Sequence, residues 1–399
     1  MRFSKNMEQI SMSKTAEIAD LALSLKERGK KVINMASGEL SFKPDSAIRK
    51  EACRVINKGE TLYTQVAGLY ELREQISKKL QKDLNVKYTS DEIIVSNGGK
   101  QVIFNAFQST INRGDEVIIV SPYWVSYPEI VKFCGGKSKI LNSKREEDFS
   151  INVDELEKLI TAKTKWLILN SPNNPTGVVY TRESLKKIIQ VLNRHPNVWV
   201  LLDDIYEKLN FSSKRSINLI NIDTKLKRRS LLVNGFSKGY SMTGWRLGYG
   251  AGPKILIEAM KKIQSQSTSA ANTIAQNAAI KALQLDEDYF EDIKTSLIKR
   301  REIVTSALAN LDGFRCKFSQ GAFYIFPSIE SFLGKRLKGK DIIYDDTSFC
   351  LQLLSSKHVA VVPGSSFGSR DSIRISYALT EKDLRIGCKR IKQFCENLV

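Results

Sequence analysis

The sequence predicts an α/β protein, with a large domain built on a mainly parallel central sheet and a smaller α+β domain beside it. Three observations predict this. Uninterrupted apolar runs of four or five residues alternate with helical patterns through the middle of the chain, as strands covered on both faces by helices do. Each run ends on residues able to do chemistry. The length, 399 residues, exceeds what one hydrophobic core usually organises, so a companion domain is expected.

The elements follow in order. A helical pattern over residues 16–28 is expected to pack with the C-terminal part of the chain, so the smaller domain comprises residues 1–44 and 286–399 and the large one 45–285. Ile93-Ile94-Val95-Ser96 reads as a strand, and Asn97-Gly98-Gly99 turns from it into the helical pattern Lys100-Gln101-Val102-Ile103-Phe104-Asn105-Ala106-Phe107. Val117-Ile118-Ile119-Val120, Trp166-Leu167-Ile168-Leu169, Val198-Trp199-Val200-Leu201-Leu202 and Leu231-Leu232-Val233 are the next strands. Beyond these lies a long amphipathic helix over residues 286–311. Short strands are expected at Ala322-Phe323-Tyr324-Ile325-Phe326, Val359-Ala360-Val361-Val362 and Ser372-Ile373-Arg374-Ile375-Ser376, with a closing helix from Glu381.

Charged residues make up 26% and hydrophobic ones 42%, the ordinary range of soluble globular proteins. No run of about 20 apolar residues offers a membrane span, and the N-terminus lacks the apolar stretch of a signal peptide, so the expectation is a cytoplasmic protein without a membrane partner. Cys53, Cys134, Cys316, Cys350, Cys388 and Cys395 lack the close pairs of a zinc site and read as free thiols. With only His195 and His358 there is little material for a metal centre or a Ser-His-Asp triad; no metal is expected, and a structural role is the ordinary reading of a lone histidine. The net charge of +19 would attract anions. Its lysines are spread out, however, and the clusters at Lys225-Leu226-Lys227-Arg228-Arg229 and Lys335-Arg336-Leu337-Lys338 are short and lack an aromatic platform. They read as solvated surface, not a nucleic-acid site.

Chemistry gathers where the strands end. Lys238 follows Leu231-Leu232-Val233-Asn234 in a glycine-flanked loop, with Ser237 before it and Arg246 eight residues on. An amine beside a phosphate cradle fits pyridoxal phosphate, with Lys238 forming the Schiff base and Ser237 and Arg246 holding the phosphate. Gly98-Gly99-Lys100 opens a helix after a strand, where backbone amides bind phosphate. Asp203 follows an apolar strand, and its buried carboxylate would want a cation such as a protonated pyridine nitrogen; a helix N-cap is the alternative. Tyr206 could face the same side if a helix begins there, and with Asn174 could hydrogen-bond the ring's phenolic oxygen; core packing and turn chemistry are the respective alternatives. Trp124 is flat enough to stack on the ring, or to fill the core. Arg374, flanked by apolar residues in a strand, wants a carboxylate: that of an amino acid, or an internal Asp or Glu.

Taken together, Ala36-Ser37-Gly38-Glu39, Tyr63 with Ala67-Gly68-Leu69, Gly98-Gly99-Lys100-Gln101, Ser121-Pro122-Tyr123-Trp124, Asn173-Asn174-Pro175-Thr176-Gly177, Asp203 to Tyr206, the Lys238 run and Arg374 resemble the fold-type I pyridoxal-phosphate aminotransferases of class I/II. Within them, the chain is similar to the bacterial aspartate or aspartate/prephenate subgroup. The resemblance implies a homodimer with active sites at the interface, Tyr63 reaching the neighbouring cofactor phosphate, and Gly38, Trp124, Asn174 and Arg374 contacting substrate. It also implies ping-pong exchange between amino-acid and 2-oxo-acid substrates, aspartate and 2-oxoglutarate foremost, with Lys238 moving the proton and Asp203 and Tyr206 supporting it.

Two family motifs change without losing a chemical residue: Gly-Glu-Pro-Asp-Phe becomes Gly38-Glu39-Leu40-Ser41-Phe42, and Asp-Glu-Ile-Tyr becomes Asp203-Asp204-Ile205-Tyr206. Members that use prephenate carry a lysine where this chain has Ser11, with Lys14 off register. Transamination of aromatic substrates and a lyase on the same fold are the enzymatic alternatives. A DNA-binding regulator of this fold would place a separate domain before the enzyme-like pattern, which here begins by about Gly29.

Overall fold

The computed structural model describes residues 7–10, 14–212, 216–309, 311, 313–314 and 319–399; Cys316 and Ser11 lie outside them. Its strands, in chain order, are β1 (Ile33–Asn34), β2 (Ile93–Ser96), β3 (Glu116–Ser121), β4 (Lys137–Asn142), β5 (Thr164–Asn170), β6 (Trp199–Asp203), β7 (Ser230–Gly235), β8 (Gly248–Ala251), β9 (Tyr324–Ile325), β10 (Val359–Ala360), β11 (Val362–Pro363) and β12 (Ile373–Ser376). The central sheet has the order β2-β8-β7-β6-β5-β3-β4. β8 runs antiparallel to both neighbours and the other six strands share one direction.

The apolar runs are uninterrupted because both faces of this sheet are covered. Side chains alternate across a strand, so Val117 and Ile119 enter one core while Ile118 and Val120 enter another; Trp166 and Ile168 divide from Leu167 and Leu169 in the same way, as do Leu231 and Val233 from Leu232. Helices Gly99–Thr110, Ser126–Phe133 and Lys254–Ser265 contribute Val102, Phe107, Ile130 and Met260 to the first core. Helices Tyr70–Leu84, Arg182–Arg194 and Thr273–Ala282 contribute Leu72, Ile76, Ile188 and Ala278 to the second.

A third core joins Ile18, Ala22, Met35 and Ala36 to Leu297, Phe349, Ile375 and Phe394. Helices Lys14–Glu27, Glu287–Ala309, Asp346–Lys357 and Glu381–Glu396 surround it. β1 pairs with β10 in parallel, and β12 lies between β11 and β9 in an antiparallel sheet.

The short strands here depart from the sequence expectation. Only Tyr324 and Ile325 of the run 322–326 form a ladder, because Ala322 is left-handed, with φ of 57°, and its amide donates to the Leu209 carbonyl, 2.9 Å away. The run 359–362 is split between two sheets. β4 and β8 escaped the apolar criterion. The first is a polar edge strand, Lys-Ser-Lys-Ile-Leu-Asn, and the second reads Gly-Tyr-Gly-Ala, which has little strand propensity.

Several charges that looked surplus have structural partners. Arg229 donates to the carbonyls of Leu192, His195 and Val198 at 2.7, 2.7 and 2.9 Å, closing the end of helix Arg182–Arg194. Lys227 pairs with Glu92 at 2.8 Å. His195 sits 2.8 Å from the Glu157 carboxylate, and His358 is the left-handed cap of helix Asp346–Lys357. Replacing Arg229 with Met is expected to cost about 2 kcal/mol of stability, read as a lower urea midpoint at unchanged slope.

Candidate active site

The carboxyl ends of β2, β3, β5, β6 and β7 deliver their following residues to one edge of the sheet, where open α/β sheets place ligands. The glycine pair after β2 is needed there for close approach. A Cβ on Gly248 would stand 2.5 Å from the Gly99 amide nitrogen, and one on Gly98, whose φ is +87°, would stand 2.6 Å from Arg246 Nη2. Gly98 is the N-cap of helix Gly99–Thr110 and offers no side chain to its first turn. An uncapped helix start beside an exposed arginine, with the Ser237 side chain buried nearby at the end of β7, is a donor set suited to phosphate.

Asp203 ends β6, 6% exposed. The Tyr127 hydroxyl donates to its Oδ2 at 2.6 Å and the Ile205 amide to Oδ1 at 3.3 Å. Burial is the largest influence on this carboxyl and pushes its pKa up to about 6 against those hydrogen bonds. Asp203 is therefore no helix N-cap: the chain passes into a turn and then a 3-10 segment, Glu207–Leu209. The α-helix expected to carry Tyr206 is absent as well. Its turn is held instead by Lys79 of helix Tyr70–Leu84, which pairs with Glu207 and, at 2.8 Å, with Asp83.

The Lys238 ammonium donates to the Gly38 carbonyl at 2.7 Å. Burial, with Arg374 next, lowers its pKa to about 8. A substantial neutral fraction near pH 8 makes the amine a nucleophile and a proton acceptor.

Arg374, 4% exposed on β12, donates from Nη1 to Asn174 Oδ1 at 3.0 Å and from Nη2 to the Ala36 carbonyl at 2.7 Å. Its Nε is buried with no hydrogen-bond partner among the described residues. The internal Asp or Glu considered from the sequence is not among these contacts. A buried guanidinium bonded only to neutral oxygens is left with its charge and three of its five N–H groups, that on Nε among them, for an anion.

These groups connect. Asn170, at the end of β5, donates to the Asp203 carbonyl at 2.8 Å and accepts the Asn174 amide at 2.8 Å. Trp124 packs edge-on against Tyr127, centroids 5.3 Å apart, and the Lys100 ammonium lies 5.0 Å from the Trp124 ring centroid. The Tyr206 hydroxyl meets that of Tyr324 at 3.1 Å. Tyr63 stands apart, 95% exposed beside Leu62 at 84%.

Residues 30–391 match the family described as aminotransferase class I and II. The chain belongs to that family. This aminotransferase is 44% identical over 389 residues to the probable aspartate/prephenate aminotransferase of Rhizobium leguminosarum bv. phaseoli, covering 98% of this chain and 97% of that one. The structure of the Rhizobium meliloti aspartate aminotransferase superposes with a TM-score of 0.96 at 40% identity, each chain covered fully. The Thermus thermophilus aspartate aminotransferase with maleate gives 0.92 at 34%, covering 99% of this chain and all of that one. The α/β architecture with its mainly parallel sheet is thus the fold-type I architecture of these enzymes. No helix among the described residues is long and apolar enough to cross a membrane.

Sequence reasoning gave no role to three residues of the candidate site: Tyr127, Asn170 and Tyr324. Tyr127 had one available signal, its position three residues after Trp124. Tyr324 sits within an apolar run that reads as core, and Asn170 read only as one of the polar residues at a strand end.

Proposed function

We propose that this aminotransferase uses pyridoxal phosphate to exchange the amino group of aspartate with 2-oxoglutarate, giving oxaloacetate and glutamate. The observation that carries the reading is the juxtaposition of Lys238, a buried amine with lowered pKa and no carboxylate partner among its hydrogen bonds, with Arg374 and its unpartnered Nε. Together they form an amine next to a carboxylate receptor. The site fits the cofactor by its donors: Asp203, buried with raised pKa and bonded to no cation, suits a pyridinium nitrogen, and the Gly98–Lys100 turn with Ser237 and Arg246 suits the phosphate. When bound, the cofactor supplies an aldehyde that condenses with amines and a ring that accepts electron density from the substrate's α-carbon.

The chain's own residues do the rest. Arg374 would bind the α-carboxylate and fix the α-carbon; Trp124 would cover the ring face; Asn174 and Tyr206 would hydrogen-bond the phenolic oxygen. Lys238 would anchor the cofactor through its aldehyde carbon and, as a free amine, would carry the proton between the substrate's α-carbon and that carbon, two atoms along with the nitrogen between them, a transfer its pKa of about 8 suits. Gly38 contributes its carbonyl as the resting partner of the amine.

The reading includes a homodimer, a cytoplasmic setting, and a division into a large domain, 45–285, and a small one, 1–44 with 286–399. The exposed Leu62-Tyr63 pair supports the dimer, since Tyr63 would reach the partner's cofactor phosphate; sedimentation shows whether the chain is a monomer. A panel of amino donors and oxo acceptors tests the specificity. Aspartate with 2-oxoglutarate is expected to give the highest kcat/KM, and a preference for prephenate or aromatic acids would overturn the assignment.

A further inference from the structure

Tyr324 is buried in β9, and the site as described so far gives it no task. Its hydroxyl and that of Tyr206 are 3.1 Å apart, with the rings edge to face, 80° between planes. The Arg374 guanidinium lies 4.4 Å from the Tyr324 ring centroid. A Cβ built on Gly38 would stand 3.3 Å from the Tyr324 hydroxyl and 4.0 Å from Lys238 Nζ, so this hydroxyl borders the space around the lysine amine.

We propose that Tyr324 is a positioning residue acting through Tyr206: its hydroxyl donates to the Tyr206 hydroxyl, turns the Tyr206 proton toward the cofactor's phenolic oxygen, and connects that oxygen to Arg374. The inference rests on the cofactor reading above and assigns it a further residue.

The reasoning is a count of protons. Burial raises the pKa of both phenols, so each hydroxyl keeps its single proton at neutral pH. Only one of the pair can donate across the 3.1 Å contact. If Tyr206 gives its proton to the phenolic oxygen, its own oxygen must accept, and Tyr324 is the donor facing it. Hydrogen bonds in series strengthen one another, so Tyr206 becomes a better donor than a lone tyrosine and the phenolic oxygen holds its negative charge more readily. Arg374 over the Tyr324 ring opposes the effect of burial, which still holds the pKa of that phenol above its ordinary value, and so sharpens its donation. A substrate carboxylate on Arg374 neutralises that pull, so occupation of the carboxylate site is felt at the Lys238 linkage. The other charged and titratable groups bearing on this pair and on Lys238 are Asp203, Tyr127, Glu39 and Arg246. None of them reaches the Tyr324 hydroxyl by a hydrogen bond.

The test is a pH titration of the bound cofactor's absorbance, without substrate, in the wild type, Tyr324→Phe, Tyr206→Phe and the double variant. Tyr324→Phe keeps the ring under Arg374 and removes only the hydroxyl. Its midpoint is expected to rise by about half a pH unit. In the Tyr206→Phe background the same substitution should add nothing, because the route through Tyr206 is gone. Maleate, a dicarboxylate that cannot react, should raise the wild-type midpoint more than that of Tyr324→Phe. An unchanged midpoint in Tyr324→Phe, equal shifts in both backgrounds, or an undiminished maleate effect would each overturn the inference. Failure of the wild type to show any pH-dependent cofactor band would instead bring down the cofactor reading itself.

Discussion

Lys238→Ala is expected to reduce kcat by at least about 10⁴-fold, the upper range for a positioned proton-transfer group, with further loss because the same amine is the covalent anchor. Among the described residues no other amine takes its place on the Gly38 carbonyl. Lys100, a lysine beside the site, stands over Trp124, 5.0 Å from the ring centroid, whereas Lys238 is held on the Gly38 carbonyl at 2.7 Å. Stability should not fall with activity. Lys238 titrates at about 8 in the folded chain and near its ordinary 10.5 in the unfolded one, so the unfolded state binds more protons between those values and the cofactor-free protein gains stability as pH rises from about 8 to 10.5. That slope should be shallower in Lys238→Ala. Thermal melts at pH 7, 8.5 and 10 on both proteins measure it.

Asp203→Asn is expected to separate function from stability in the same way. Losing the carboxylate that would face the pyridine nitrogen should lower kcat/KM about 10³-fold, the scale of removing one preorganised electrostatic group. The neutral amide can still accept the Tyr127 hydroxyl that Asp203 accepts at 2.6 Å. The folded pKa of about 6 lies above the ordinary 3.8, so the native state binds more protons in that window and stability falls as pH rises from about 4 to 6. Above pH 6 the full cost of the buried charge, about 3 kcal/mol for a shift of this size, is present. Asp203→Asn should therefore be more stable than the wild type without cofactor at pH 7.5, and no more stable below pH 4. Denaturant curves at the two pH values check this, and a variant less stable at pH 7.5 would mean the carboxylate has a favourable partner.

The fold was legible wherever both faces of a strand are covered, because burial on two sides writes an unbroken apolar run. Val117-Ile118-Ile119-Val120 and Trp166-Leu167-Ile168-Leu169 announced themselves in this way. It was illegible where glycines interrupt the apolar run, as in β8, where Tyr249 and Ala251 reach the core and Gly248 is there to let the Gly98–Gly99 turn approach. The site divides similarly. Lys238, Asp203 and Arg374 were visible because a charge after or within an apolar strand asks for a reason. Tyr127 and Tyr324 were not, since a tyrosine in a core needs none until its hydrogen-bond partner is known, and Asn170 showed only as a polar strand end without a role. The turn at Tyr206 was misread for a related cause: the ion pairs of Lys79 that hold it come from a helix more than a hundred residues earlier.

The central claim is that one chain binds an amino acid at Arg374 and removes its amino group at Lys238, and the donor half-reaction tests it most directly. Protein loaded with pyridoxal phosphate is mixed with aspartate and no acceptor, and oxaloacetate is measured. The proposed site predicts a burst of about one oxaloacetate per bound cofactor, with the cofactor left in its amine form and restored by 2-oxoglutarate. Continuous turnover of aspartate without an acceptor, or a cofactor that stays in its aldehyde form while no oxaloacetate is released, would contradict it.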